Sequence, residues 1–195
     1  MNVKKRIVKA LAAFAIICGL SLSAHAQIGS GWTSTSVSFV VQTSAGCSVS
    51  GNVFKVPSGT SGRAERRYAT NTNTQRQFQG TVVVNSLGGD RINIKQTFDQ
   101  DNGPYQLVAV SKASKELYET EGGQKLASYT VGTSVRINTI ITRSSGEVQV
   151  YINGSLAETK TGGSVNLYDK CGAYISGSGS GPCTTTWTGV AFWKK

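Results

Sequence analysis

Two consecutive runs, Val135-Arg-Ile-Asn-Thr-Ile-Ile-Thr-Arg143 and Val148-Gln-Val-Tyr-Ile-Asn153, decide the fold class. In both, apolar and β-branched residues recur at every second position, the period of a strand with one face buried. Ser145-Gly146 separates the runs, and Asn153-Gly154 ends the second. Asn-Gly is the dipeptide that a type I′ hairpin favours, because both of its central residues need positive φ.

The same grammar extends outward from this hairpin in both directions. Val37 to Val41, Phe78 to Asn85, Arg91 to Phe98, Tyr105 to Ser111 and Thr184 to Trp193 all read as short strands. Leu87-Gly-Gly-Asp90 and Glu121-Gly-Gly123 supply turns, and no stretch keeps a helical period. The expectation is an all-β domain whose neighbouring strands pair antiparallel as a sandwich or jelly roll.

At the N-terminus, Lys4, Lys5, Arg6 and Lys9 precede an apolar run from Ala10 to Leu22 and then Ala24-His-Ala26. That order is a secretory signal peptide over 1–26, too short to serve as an anchor, and it leaves 27–195 as a single domain outside the membrane. Four of the 20 basic residues leave with it, so 16 face 10 acidic ones, a net +6. A basic exported protein suits an acidic polysaccharide or cell surface better than nucleic acid. A bacterial periplasmic or secreted location follows, with a monomer expected.

His25, the only histidine, leaves with the leader. Ser-His-Asp and Cys-His nucleophiles and most zinc sites are thereby excluded, and neither metal nor cofactor is expected. Tyr, Lys, Arg and carboxylates have to carry any chemistry. Three cysteines remain, and Cys171 with Cys183 is the expected disulfide, closing a short Gly/Ser loop and leaving Cys47 free. Asp99-Gln-Asp-Asn-Gly103 lacks the spacing and distal glutamate of a calcium loop and reads as a polar turn.

Two segments concentrate polar chemistry. Arg63-Ala-Glu-Arg-Arg67 reads as a strand with Arg63, Glu65 and Arg67 on one face, two guanidinium forks around a carboxylate. Tyr168-Asp-Lys-Cys-Gly-Ala-Tyr174 enters a strand in which Tyr174 falls on the polar face.

These segments resemble the strand motifs of the alginate lyases of polysaccharide lyase family 7. Arg63-x-Glu65-x-Arg67 matches their Arg-x-Glu-x-Arg strand, and Tyr168, Lys170, Gly172 and Tyr174 match Tyr-Phe-Lys-Ala-Gly-x-Tyr. Their Gln-(Ile/Val)-His strand is matched only by Gln96, since Phe98 stands where the histidine belongs. The resemblance implies a jelly-roll (concanavalin-like) β-sandwich of antiparallel strands. It further implies β-elimination from a polyuronate, with Tyr174, Gln96, Arg67 and Arg63 at the reacting sugar. Lys170, Glu65, Tyr168 and Lys95 complete the expected substrate-binding set. Strict alternation conflicts with this on one strand, because it groups Gln96 with Ile92, Ile94 and Phe98 and leaves Arg91, Asn93, Lys95 and Thr97 as the polar face.

Elimination needs a carboxylate neutraliser, a base for the C5 proton and an acid for the departing O4 oxygen. Tyr174 can serve as both base and acid when proton and leaving group lie on one side of the ring. That geometry favours mannuronate or glucuronate linkages over guluronate. A non-catalytic acidic-glycan-binding sandwich, using Tyr105, Tyr118 and Tyr151, is the alternative. A glycoside hydrolase would need two facing carboxylates, which the spacing of the ten acids does not offer.

Overall fold

A computed structural model describes residues 27–195, so the expected leader lies outside the described residues. One sheet runs in the order β13 (Ser155–Lys160), β12 (Glu147–Ile152), β11 (Ser134–Thr142), β6 (Gln75–Leu87), β15 (Cys183–Lys194), β4 (Val53–Val56) and β3 (Ser48–Ser50), with β1 (Thr33–Thr35) also on β15. The other runs β10 (Lys125–Ser128), β9 (Glu116–Glu119), β8 (Gly103–Ser111), β7 (Arg91–Asp99), β14 (Leu167–Ile175), β5 (Gly62–Tyr68) and β2 (Phe39–Thr43). All pairings are antiparallel.

The two sheets close on an apolar interior. Phe78, Val82, Val84 and Trp187 come from one, and Ile92, Ile94, Val108, Val110 and Ala173 from the other. Each large side chain so buried contributes about 1.5–3 kcal/mol. The hairpin that opened the sequence reading pairs β11 with β12, and Asn153 and Gly154 adopt φ of 51° and 93°. The Leu87–Asp90 turn differs from expectation: β6 and β7 lie in different sheets, so it carries the chain across the sandwich instead of closing a hairpin.

The interior also holds charge. Asp169 of β14 accepts hydrogen bonds from Lys95 Nζ at 2.7 Å, Thr139 Oγ1 at 2.9 Å and Arg76 Nη2 at 3.0 Å, with all four residues essentially inaccessible. Arg76 and Thr139 belong to the eight-stranded sheet, Lys95 and Asp169 to the seven-stranded one. The group is therefore an ionic rivet between the layers. Lys95 is thus corrected from the substrate-binding set, because it points inward and its ammonium lies 4.7 Å from the Phe78 ring centroid.

A bulge explains that inversion. Asn93 pairs with Ala109 and Lys95 with Val108, so Ile94 has no partner of its own on β8. Ile94 and Lys95 consequently both face inward, and the alternation changes phase between them. Before the bulge, Arg91 and Asn93 face out. After it, Gln96 and Phe98 do. On β14, Gly172 and Ala173 together oppose the same point. Gly172 has φ of 149°, and a β-carbon there would lie 2.2 Å from Ala64 O. Its own carbonyl accepts from Thr185 Oγ1 and Trp187 Nε1 of the opposite sheet.

The expected Cys171–Cys183 disulfide is not formed; Cys47, Cys171 and Cys183 are free thiols. Cys171 lies in mid-strand in the seven-stranded sheet with its sulfur 3.6 Å from the Tyr68 hydroxyl, whereas Cys183 opens β15 opposite Val56 and Leu87 in the other sheet. Short spacing in sequence brought the two to opposite layers. Burial pushes both thiols up to about 12.

Candidate active site

The central strands β5, β14 and β7 present a polar cluster on the side of the seven-stranded sheet that faces away from the core. Cross-strand register builds it in rows. Arg67, Lys170 and Gln96 lie side by side, as do Arg63, Tyr174 and Asn93, and Tyr168 lies beside Phe98. Residues directly opposite one another share a face, so seven of the eight sequence-expected residues converge here and Lys95 alone does not.

Glu65 is the hub. Its carboxylate lies 3.1 Å from Arg63 Nε and 4.0 Å from Lys170 Nζ, and it accepts a hydrogen bond from Gln96 Nε2. Burial pushes Glu65 above the ordinary glutamate range, and Lys170, Arg63 and Gln96 only partly offset it. Burial likewise pulls Lys170 below the usual lysine range, with Glu65 opposing and Arg63 and Arg67 adding to the fall. Such mutual dependence ties the charge of each group to its partner.

Above this floor the cations sit on rings. The Arg63 guanidinium lies 4.9 Å from the Tyr174 centroid, Arg67 4.2 Å from Tyr168, and Lys170 Nζ 4.5 Å from Phe98. Phe98 stacks on Tyr168 with centroids 5.3 Å apart. It thus forms an aromatic plate beside the Lys170 ammonium. Accessibility divides the roles. The Arg63 side chain is 36% exposed, whereas Lys170 and Gln96 are nearly covered. An open cleft of about 300 Å³ lies beside Arg63 and Tyr174, bordered by Thr43, Ser44 and Ser61. The arrangement can hold an anion over Arg63 with a phenol alongside it.

Two residues of structural consequence escaped the sequence reading, Asp169 and Arg76, because charged residues carry no mark of burial in an alternating pattern. Among the described residues no His, Cys, Asp or Glu cluster could hold a metal ion. In the Asp99–Gly103 turn, the Asp99 carboxylate is instead taken up by Asn102, Ser164 and Asp101. Burial alone would raise Asp99, but these hydrogen bonds outweigh it and hold the group well below the usual carboxylate range.

Neither a protein-family model nor a curated protein matches the sequence. Solved structures match the fold. An alginate lyase from Corynebacterium sp. superposes with a TM-score of 0.61 at 18% identity, over 72% of this chain and 75% of that one. An alginate lyase from Pseudomonas aeruginosa gives 0.58 at 16%, over 78% and 87%, and the family 7 lyase AlgAT5 gives 0.56 at 18%, over 72% and 76%. A sialidase gives 0.60 at 9% identity, although the match covers only 16% of its length. At such identities the likeness establishes the architecture: this chain has the jelly-roll β-sandwich of the alginate lyases.

Proposed function

We propose that the protein is a secreted polysaccharide lyase that cleaves an acidic polyuronate by β-elimination, with Tyr174 as the proton-transfer residue. The observation that carries this reading is the placement of the Tyr174 ring beneath the accessible Arg63 guanidinium at the edge of an open cleft. Arg63 neutralises the uronate carboxylate, which makes the C5 proton acidic. Tyr174 takes that proton as tyrosinate and returns it to O4 as the glycosidic bond breaks and the C4–C5 double bond forms. Glu65 fixes Arg63, Lys170 and the Gln96 amide, so Gln96 contributes mainly by holding Glu65. Arg67 and Tyr168 hold the sugar next to the reacting one.

A non-catalytic glycan-binding sandwich is the second reading. It is favoured by Phe98, which leaves no imidazole at the site, and by Glu65, which already engages two of the cations. Ultraviolet absorbance of unsaturated uronyl products separates the two readings. Wild type and Tyr174→Phe are incubated with polymannuronate, polyguluronate and glucuronan. A rise on one polymer that the substitution abolishes is expected. Binding without any rise would leave the module reading, and a rise that survives Tyr174→Phe would remove Tyr174 from the mechanism.

A further inference from the structure

We infer that β2 is an interface through which two copies of this chain pair edge to edge, where the sequence suggested a monomer. β2 is the outermost strand of the seven-stranded sheet, and its Phe39, Val40 and Val41 are 48%, 59% and 52% exposed. The hydrogen bonds to β5 fix which of its backbone groups are free. Ala69 N donates to Ser38 O at 2.9 Å and Ser44 N to Arg63 O at 3.0 Å, so the even-numbered residues turn their N–H and C=O groups toward β5. Phe39, Val41 and Thr43 therefore turn theirs outward, and no described strand lies beyond them. Such a row is a template for another strand.

Charge selects a second copy as the occupant. The other sheet edges are guarded: β10 carries Lys125, β13 carries Glu158 and Lys160, and β3 has only three residues. Phe39-Val-Val-Gln-Thr43 has no charge, so a twofold pairing opposes no like charges. The neighbouring arginines do not call for an acidic partner, because Arg66 Nη2 donates to Gly51 O at 2.7 Å and Arg67 lies over the Tyr168 ring. The free groups also match their own copy. With Val41 on the axis, Val41 meets Val41 of the partner subunit and Phe39 meets Thr43 of the partner subunit, and each opposed pair exchanges two hydrogen bonds. Opposed residues share a face, so the polar sides of both copies lie on one side of a continuous sheet. Tyr174 then stands roughly 24 Å across the strands from its counterpart, five spacings of about 4.8 Å. Resting on the glycan reading, one long polyuronate meets two sites on that surface, which raises its affinity without any new contact.

The test is sedimentation velocity over a series up to about 1 mM, the range of weak interfaces, in which monomer should give way to dimer. Val41→Pro removes an N–H that β5 does not use, and Val41→Lys sets two ammoniums against each other on the axis. Each should weaken the dimer by about tenfold or more, the scale of two lost hydrogen bonds. Val41→Thr should keep it, and circular dichroism should show all three variants folded. A wild type that stays monomeric overturns the interface, as does a dimer that the proline and lysine variants leave intact. So does a monomer that binds a synthetic heptapeptide of alternating valine and glutamate through β2, which gives the edge to a foreign strand. Sedimentation needs no glycan: a dimer that neither binds nor cleaves polyuronate removes the lyase reading and keeps the interface, and a cleaving monomer does the reverse.

Discussion

On the proposed lyase reading, Phe98 is the residue on which substrate choice turns. On that reading it leaves Tyr174 without a second base on the opposite side of the sugar, which would restrict cleavage to linkages in which proton and leaving group share a side. Phe98→His should extend cleavage to polyguluronate, read as unsaturated product from the pure polymer; a variant as inert toward it as wild type would count against this account. Gly172 is the other decisive position. With φ of 149° and the Ala64 carbonyl in the space of a β-carbon, Gly172→Ala should cost about 3 kcal/mol by chemical denaturation. A cost under ~1 kcal/mol would mean that β5 and β14 separate easily.

Among the elements, β7 and β14 matter most because each carries site residues on one face and the ionic rivet on the other. Asp169→Asn should destabilise the fold by about 3–5 kcal/mol, since Lys95 and Arg76 are left buried without their counter-charge. Burial raises Asp169, but Lys95, Arg76 and Thr139 more than compensate and hold it below its ordinary 3.8. Its contribution is therefore fully present above pH 3.8 and is lost as the pH falls through the lower folded value. Wild type and Asp169→Asn should accordingly converge in stability in strong acid; a gap independent of pH would speak against the rivet. These strands also mark the limit of the sequence reading. Period two located β11, β12 and the polar face of β14, because each keeps its phase throughout. On β7 the phase changes at Ile94, so alternation mispaired Lys95 with the site and Gln96 with the core. The short strands β1, β3, β9 and β10 lacked enough residues to show a period, and β13 carries too few apolar residues to mark one.

At the scale of the whole molecule, stability comes from the packed sheets and not from a covalent staple. Reducing agent should leave the melting temperature unchanged, and a shift of several degrees would indicate a bridge. Alkylation of the folded protein should reach only the half-buried Cys47, with Cys171 and Cys183 reacting after unfolding. The net charge of +6 on residues 27–195 belongs to this scale too. Raising ionic strength from about 0.01 M to 1 M shortens the screening length from about 30 Å to 3 Å and should weaken polyuronate binding markedly. Binding insensitive to salt would point to recognition by stacking alone.

The unpaired residue on β7 makes the identity of the outer surface depend on counting. Were Ile94 to take a partner of its own on β8, strict alternation would turn everything downstream of it to the other face, aiming Lys95 and Thr97 at solvent and driving Gln96 and Phe98 into the space of the rivet. One added pairing there would exchange the working side of the sheet with its lining while altering no side chain, whereas loss of Ile94 would close the bulge and leave both faces as they are.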